Sequence, residues 1–371
     1  MTCVAVSFLI MIVAVAVSSG FRNEIRNGVS SIAGDVQLTR PDMNYMEEGS
    51  PVNAAPSYLS MIKELPCTEA VVPAVYRAGI VKDGEDIYGV VIKGRPGPLS
   101  DSLLLAVSIP ESFARKTGIS VGDRMLTYFV GEKMQVRQFN VAEIYESGVD
   151  PDGKFLVYAD IDDMRRLNGW SADQASLLEV MLKPEFKTEK GMKESASHIG
   201  FIMNAYEQED DDTLIATSAI SKYPQIFGWL SLIDFNVFFI LLLMTIVAGF
   251  NMISGLLIML FENISTIGLL KSLGMTDMSI SKVFLSSSAV LVLKGMAVGN
   301  AIAILFCIVQ GTTHLLKLDP ENYFVSYVPV HLDFGMILLA DLAAMIMIML
   351  LLLIPSLFIS NVDPAQSVRV R

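Results

Sequence analysis

The sequence predicts an α-helical membrane protein with four transmembrane helices and a large extracytoplasmic α/β domain inserted between helices 1 and 2. Three observations carry this. Of its 371 residues, 52% are hydrophobic, more than an ordinary soluble domain holds. Much of that excess is gathered into four long apolar runs, each able to cross a bilayer. Between the first and second runs lie residues 21–222, which are polar, charged and patterned in short alternating strands and helices.

The first run, residues 3–19 (CVAVSFLIMIVAVAVSS), is uncharged. Its small residues up to Gly20 also fit a signal-peptide cleavage site, but no positive segment precedes it, so residues 1–20 are read as a membrane helix. The chain then continues helically from Phe21 and turns into a strand at Asp35–Thr39. Further strands are expected at Val71–Tyr76, Gly79–Val81, Tyr88–Ile92, Arg124–Val130, Gln135–Tyr145, Phe155–Ala159 and Leu177–Leu182, with a hairpin turn at Lys82–Glu85. Helices are expected at Pro110–Thr117, Ile161–Leu167 and Thr188–Tyr206.

Residues 21–232 hold 21 Lys and Arg against 31 Asp and Glu, which is most of the formal net charge of −12. An acidic domain is a poor partner for nucleic acid. The adjacent acids of Glu207–Asp212 read as a solvated loop rather than a cation site. The three cysteines, Cys3, Cys67 and Cys307, have neither a disulfide framework nor zinc-type spacing. His198 is the one histidine of the domain, with no nucleophile arranged near it. No glycine-rich phosphate loop follows a strand. The reading is therefore no catalytic site, no metal site and no cofactor bound by this chain.

Residues 223–260 form an amphipathic lead-in, with Trp229 suited to a membrane interface, and then the second span. The third span covers residues 285–311 and the fourth 334–359, separated by a short outer loop, 312–333. Residues 360–371 form a tail with Arg369 and Arg371 and no acid after Asp363, whereas the 312–333 loop is net acidic. The positive-inside tendency places the tail in the cytoplasm and the large domain outside. Two ionisable residues fall within spans. Asp341 sits roughly 10 Å from the outer end of its span and Lys294 roughly 25 Å, at the helical rise per residue. The depths argue against a pair, and each is expected to snorkel or to face the bundle seam.

Residues 261–284 connect the second and third spans. Ile264, Ile267, Leu270 and Leu273 recur every three residues, which predicts a short helix with one apolar side. Gly274 is placed to end that helix in the left-handed conformation, and Thr276 or Asp277 to cap the next.

This last stretch carries a resemblance. Glu262–Gly274, ENISTIGLLKSLG, resembles the coupling helix of FtsX-like ABC transporter permeases, E-K-T-R-E-I-G-I-L-K-A-L-G. Gly20-Phe21-Arg22 with Glu24-Ile25 resembles the segment after the family's first helix. Ile109-Pro110-Glu111, Gly118–Asp123 and Leu167–Trp170 resemble the outer domain of the lipoprotein-releasing, LolC/LolE-type members. Asp363–Arg369 resembles the family's D-P-A-E-A-L-R ending. The bare start departs from the family, which usually has a short cytoplasmic lead-in.

The resemblance implies a permease subunit of the mechanotransmission type in the inner membrane, with its large domain in the periplasm. It implies a second permease copy, identical or not, and a separate cytoplasmic ATPase that holds ATP and magnesium. It assigns ATPase coupling to Glu262, Ile267, Gly268, Leu270, Lys271, Leu273 and Gly274. Here Asn263 replaces the family's lysine, and Ser265-Thr266 its Arg-Glu pair, so docking must rest more on apolar contact. A seam lined by Phe235, Phe238, Phe239, Leu242 and Ile246 is the candidate route for the acyl chains of a lipoprotein. MacB-like export of a small molecule or peptide, and FtsX-like control of cell-wall hydrolases, are the alternatives. A receptor that only binds would need no coupling helix.

Overall fold

The computed structural model describes residues 1–41, 50–97, 99, 103–129, 134–145, 155–209, 211–319, 323 and 325–356. The tail motif Asp363–Arg369 lies outside the described residues. Two compact units divide the chain: a helical unit drawn from Met1–Glu24, Trp229–Asp319 and the last helix, and a sheet-rich unit over Ile25–Gly228.

The sheet-rich unit is built on a nine-stranded sheet ordered β11-β1-β10-β3-β4-β8-β5-β7-β6. Its strands are β1 (Val36–Thr39), β3 (Thr68–Asp83), β4 (Asp86–Arg95), β5 (Ala106–Pro110), β6 (Arg124–Phe129), β7 (Gln135–Tyr145), β8 (Phe155–Asp160), β10 (Leu177–Leu182) and β11 (Ile215–Ser218). Short strands β2 (Val52–Asn53) and β9 (Gln174–Ala175) pair separately. Two strands expected between residues 71 and 81 are one 16-residue strand, β3. Its first half pairs with β10 and its second half with β4, so the backbone ladder carries it past the local breaks in pattern. The two-residue turn Gly84-Glu85 joins β3 to β4, with Gly84 at φ 58°.

At its far end β6 pairs back onto β3, Ile80 opposite Tyr128 and Val81 opposite Thr127. That closes β3, β4, β8, β5, β7 and β6 into a barrel and removes two sheet edges. Inward residues Val81, Ile92, Val107, Met125, Phe129, Phe139, Val141 and Val157 fill it, together with Phe113 and Met164 from the short helices α3 (Glu111–Thr117) and α4 (Ile161–Asn168). The other half of the sheet carries α2 (Leu59–Glu64) and α5 (Glu189–Tyr206) over a second core that includes Leu38, Ile62, Leu178, Val180, Met192 and Ile199. Two acids of the acidic patch hold local structure. Asp211 accepts from the Ser57 amide, the Ser57 hydroxyl and the Gln208 amide, and Asp212 accepts from the Asn53 amide and pairs with Arg40 at 3.3 Å. Among the described residues no group of three metal-ligating side chains comes together.

Among the described residues, four helices are long and apolar enough to cross a membrane. They are α1 (Thr2–Ala33), α7 (Pro224–Glu262), α9 (Asp277–Thr313) and α10 (Phe334–Ser356), with the short α6 (Ala219–Lys222) and α8 (Ile264–Ser272) before and after α7. Helices α1, α7 and α9 each exceed the apolar run read from the sequence. The lead-in at residues 223–233 is the first three turns of α7, and the first span continues as α1 to Ala33 because Ile25, Val29 and Ala33 keep one face buried.

Within the helical unit α1 is the central element, and small residues let α9 approach it. A β-carbon at Gly299 would lie 2.4 Å from the Ala5 carbonyl oxygen, and one at Gly295 would lie 2.9 Å from a Val4 methyl. This is close small-residue packing in which the backbones nearly touch. At the Gly20 end of α1, Asp234 of α7 accepts from Ser18 at 2.8 Å and pairs with Arg22 at 2.5 Å, so this charge is neutralised. Buried Gln310 closes the end of α9. Its amide nitrogen donates to the Leu316 and Val328 carbonyls, and its oxygen accepts from the Leu316 amide.

Candidate functional site

The site singled out by the sequence is the elbow α7–α8–α9. Helix α7 ends at Glu262, and the Asn263 side chain donates to the Met259 carbonyl at 2.8 Å, which marks the joint. Helix α8 then ends in a Schellman motif: the Met275 amide donates to the Leu270 carbonyl and the Gly274 amide to the Lys271 carbonyl, both at 3.0 Å. Gly274 takes φ 90°, a conformation in which a side chain would be strained. Thr276 is the N-cap of α9, its hydroxyl accepting from the Ser279 amide. The glycine turn and the cap both follow from local chemistry, and both stand where the sequence placed them.

The structure divides the residues that the resemblance assigned to coupling between two environments. Ile267 is buried in the helical core that also holds Leu260 and Ile280, Gly268 is buried, and Leu270 packs against the same core. Lys271 is largely covered and pairs with Asp277 across the glycine turn at 2.9 Å. Glu262, Leu273 and Gly274 are exposed, and so is Leu269. The expected single apolar side is therefore two faces. A helix turns about 100° per residue, so six residues from Ile267 to Leu273 leave the two side chains about 120° apart. Leu269 and the Lys271–Asp277 pair were not singled out by spacing. The pair depends on a turn that brings two residues six positions apart together, which no helical period predicts.

All five seam residues are exposed on α7: Phe235, Phe238, Phe239, Leu242 and Ile246. Phe235 and Phe239 meet edge-to-face with ring centroids 4.8 Å apart, and Phe238 and Phe239 at 6.1 Å. The five side chains make an aromatic and aliphatic stripe along α7, with exposed Asn236 beside it. Its chemistry suits acyl chains, whether of bulk lipid or of a cargo.

The intramembrane charges have different surroundings. Asp341 is buried and accepts from the Asn300 amide at 2.6 Å, so it faces the α9–α10 seam rather than snorkelling. Lys294 is exposed on α9. Among the described residues no ion pair joins the two.

Comparisons with known proteins agree on one family. Residues 238–364 match the family described as FtsX-like permease C-terminal. The lipoprotein-releasing system transmembrane protein LolC of Xylella fastidiosa (strain 9a5c) is 20% identical, the alignment covering 99% of this chain and 92% of that protein. LolC of Neisseria meningitidis serogroup B (strain ATCC BAA-335 / MC58) is 22% identical over the same shares. The corresponding LolE of Haemophilus influenzae (strain ATCC 51907 / DSM 11121 / KW20 / Rd) is 20% identical, covering 98% of this chain and 91% of that protein. The C-terminal match takes in the elbow and the last two spans, and the full-length alignments take in the sheet-rich unit. Residues 238–364 thus match the FtsX-like permease C-terminal family, and over almost its whole length the chain is similar to permeases of the LolC/LolE type.

Proposed function

We propose that this chain is the permease subunit of a mechanotransmission ABC transporter that releases lipoproteins from the inner membrane, using ATP hydrolysed by a separate ATPase. The observation that carries this reading is the alignment with lipoprotein-releasing transmembrane proteins over 99% of the chain and 92% of the relative. On this reading the sheet-rich unit lies in the periplasm, and the elbow and tail lie in the cytoplasm. A second permease copy completes the membrane core. A lipoprotein is held by its acyl chains at about 0.8 kcal/mol per buried CH₂, so release needs an external energy source. The exposed α7 stripe from Phe235 to Ile246 receives the acyl chains, and the ATPase supplies the work through α8.

Depleting the protein in its native cell is expected to strand outer-membrane lipoproteins in the inner membrane. If they sort normally while efflux of a drug or peptide fails, MacB-like export replaces this reading. ATPase docking is assigned to the exposed part of the elbow: Glu262, Leu269, Leu273 and Gly274. Ile267, Gly268, Leu270 and Lys271 act beneath it, shaping the elbow that is presented. The double substitution Leu269→Asp/Leu273→Asp should reduce recovery of the ATPase in a membrane pull-down by about tenfold or more, because central apolar anchors dominate such contacts. Unchanged recovery would overturn that assignment.

A further inference from the structure

The last turn of α1 ends in an unusually polar and fully enclosed setting. The Ile32 carbonyl, one of the unsatisfied acceptors of the helix C-terminus, accepts from Lys93 Nζ at 2.6 Å and from the Tyr76 hydroxyl at 2.8 Å. Glu179 accepts from Lys93 at 2.8 Å and also lies 2.5 Å from the Tyr76 hydroxyl, whose single hydrogen is shared between Glu179 and the Ile32 carbonyl. Lys93 and Glu179 are 3% and 2% exposed, so this is a buried ion pair. Burial pushes the Lys93 ammonium below the usual lysine value, against the pull of Glu179. The positive Nζ also sits at the negative end of the helix dipole, where a cation is favoured.

Two residues beyond the helix is a second enclosed group. Gly34 takes φ 70° and turns the chain, and Asp35, fully buried, accepts from the Ser30 hydroxyl at 2.5 Å and the Leu182 amide at 2.7 Å, with Lys187 at 3.5 Å. The Asp35 carbonyl accepts from the Ala219 amide at 2.9 Å, where β11 gives way to α6. The segment leaving α1 and the segment leading into α7 are thus bonded to each other and, through Tyr76, Lys93 and Glu179, to β3, β4 and β10. A buried ion pair is a poor device for stability alone, since apolar residues of similar size often do as well. It is directional, and it fixes a helix end against three strands at once.

We infer that Lys93, Glu179, Tyr76 and Asp35 form a rigid joint within the sheet-rich unit, through which displacement of α1 is handed from its last turn to β3, β4 and β10; these are positioning residues for the transport cycle. The inference rests on the mechanotransmission reading above. The test uses the full chain with its ATPase in lipid nanodiscs, with exposed Cys3 replaced by serine. Spin labels go on exposed Asn27 of α1 and exposed Arg115 of α3. Lys93→Met/Glu179→Leu removes the pair without leaving a lone buried charge, and Tyr76→Phe removes one donor and adds nothing.

With the pair intact, the 27–115 distance distribution is expected to be narrow. In the double variant it is expected to broaden roughly twofold, and in Tyr76→Phe by less. Lipoprotein released per ATP should fall about fivefold or more, within the range by which such networks alter coupling, while ATP hydrolysis is retained. A distribution as narrow as that of the parent overturns the joint. A broadened distribution with undiminished release per ATP overturns its role in transmission. If the parent complex hydrolyses ATP and releases no lipoprotein, the transport reading fails and the transmission role with it, while the joint is still decided by the distances alone.

Discussion

Lys93→Met alone is expected to destabilise the sheet-rich unit by about 3–5 kcal/mol, because it leaves the Glu179 carboxylate buried without its partner. Glu179→Leu should be similarly costly, stranding the Lys93 ammonium at a site that is 3% exposed. The double variant Lys93→Met/Glu179→Leu should return to within about 1–2 kcal/mol of the parent, since two methylene-rich side chains then fill the space with no charge to desolvate. The loss that remains would be the donor to the Ile32 carbonyl, which Tyr76 still satisfies in part. Pulse proteolysis of the full chain across a urea series measures all three. Additive losses in the double variant would mean that the two charges do not act as a pair.

Gly299→Leu is expected to prevent α9 from seating on α1. The first atom of any side chain at this position would meet the Ala5 carbonyl oxygen at 2.4 Å and the Phe8 β-carbon at 3.1 Å. The nearest obstacle is backbone, which cannot rotate away, so the cost should reach about 3 kcal/mol or more. Gly295→Ala should be milder because its nearest obstacle, at 2.9 Å, is the end of the Val4 side chain. Gly255→Ala is the control, with nothing within 4 Å of the added atom. Thermal scans of the detergent-extracted protein should rank the variants Gly299→Leu, Gly295→Ala, Gly255→Ala in order of decreasing damage. A Gly299→Leu protein as stable as the Gly255→Ala protein would show that α9 and α1 do not pack this way.

Both predictions turn on contacts that no local pattern in the chain announces. Gly295 and Gly299 were ordinary small residues in an apolar run, and their role follows only from which helix lies against them. Lys93 reads as a charge just past the strand expected at Tyr88–Ile92, and Glu179 as one acid among many. They meet because β3 lies between β4 and β10, an arrangement fixed by strand pairing over 86 residues of separation. Closure of the barrel by β6 on β3 is of the same kind. Strand patterns state which residues face a core, but not which edges find each other.

The sequence by itself determined the elements whose causes are local. Long apolar runs became helices because no other backbone form satisfies its own hydrogen bonds in lipid. The Gly84-Glu85 turn, the left-handed Gly274 and the Thr276 cap follow from the few conformations those residues favour. The motif at Glu262–Gly274 was also legible, and with it the similarity to FtsX-like permeases. Only the tertiary structure decided how that motif is used. Periodicity shows that Ile267, Leu270 and Leu273 are apolar at short spacing, yet burial on one side by the helical core turns Ile267 and Leu270 inward and leaves Leu269 and Leu273 outside. The same applies to charge: the sequence names no partner for Lys271, and the fold holds it against Asp277. A helix face has no inside or outside until something packs against it, and that information is carried by residues far away along the chain.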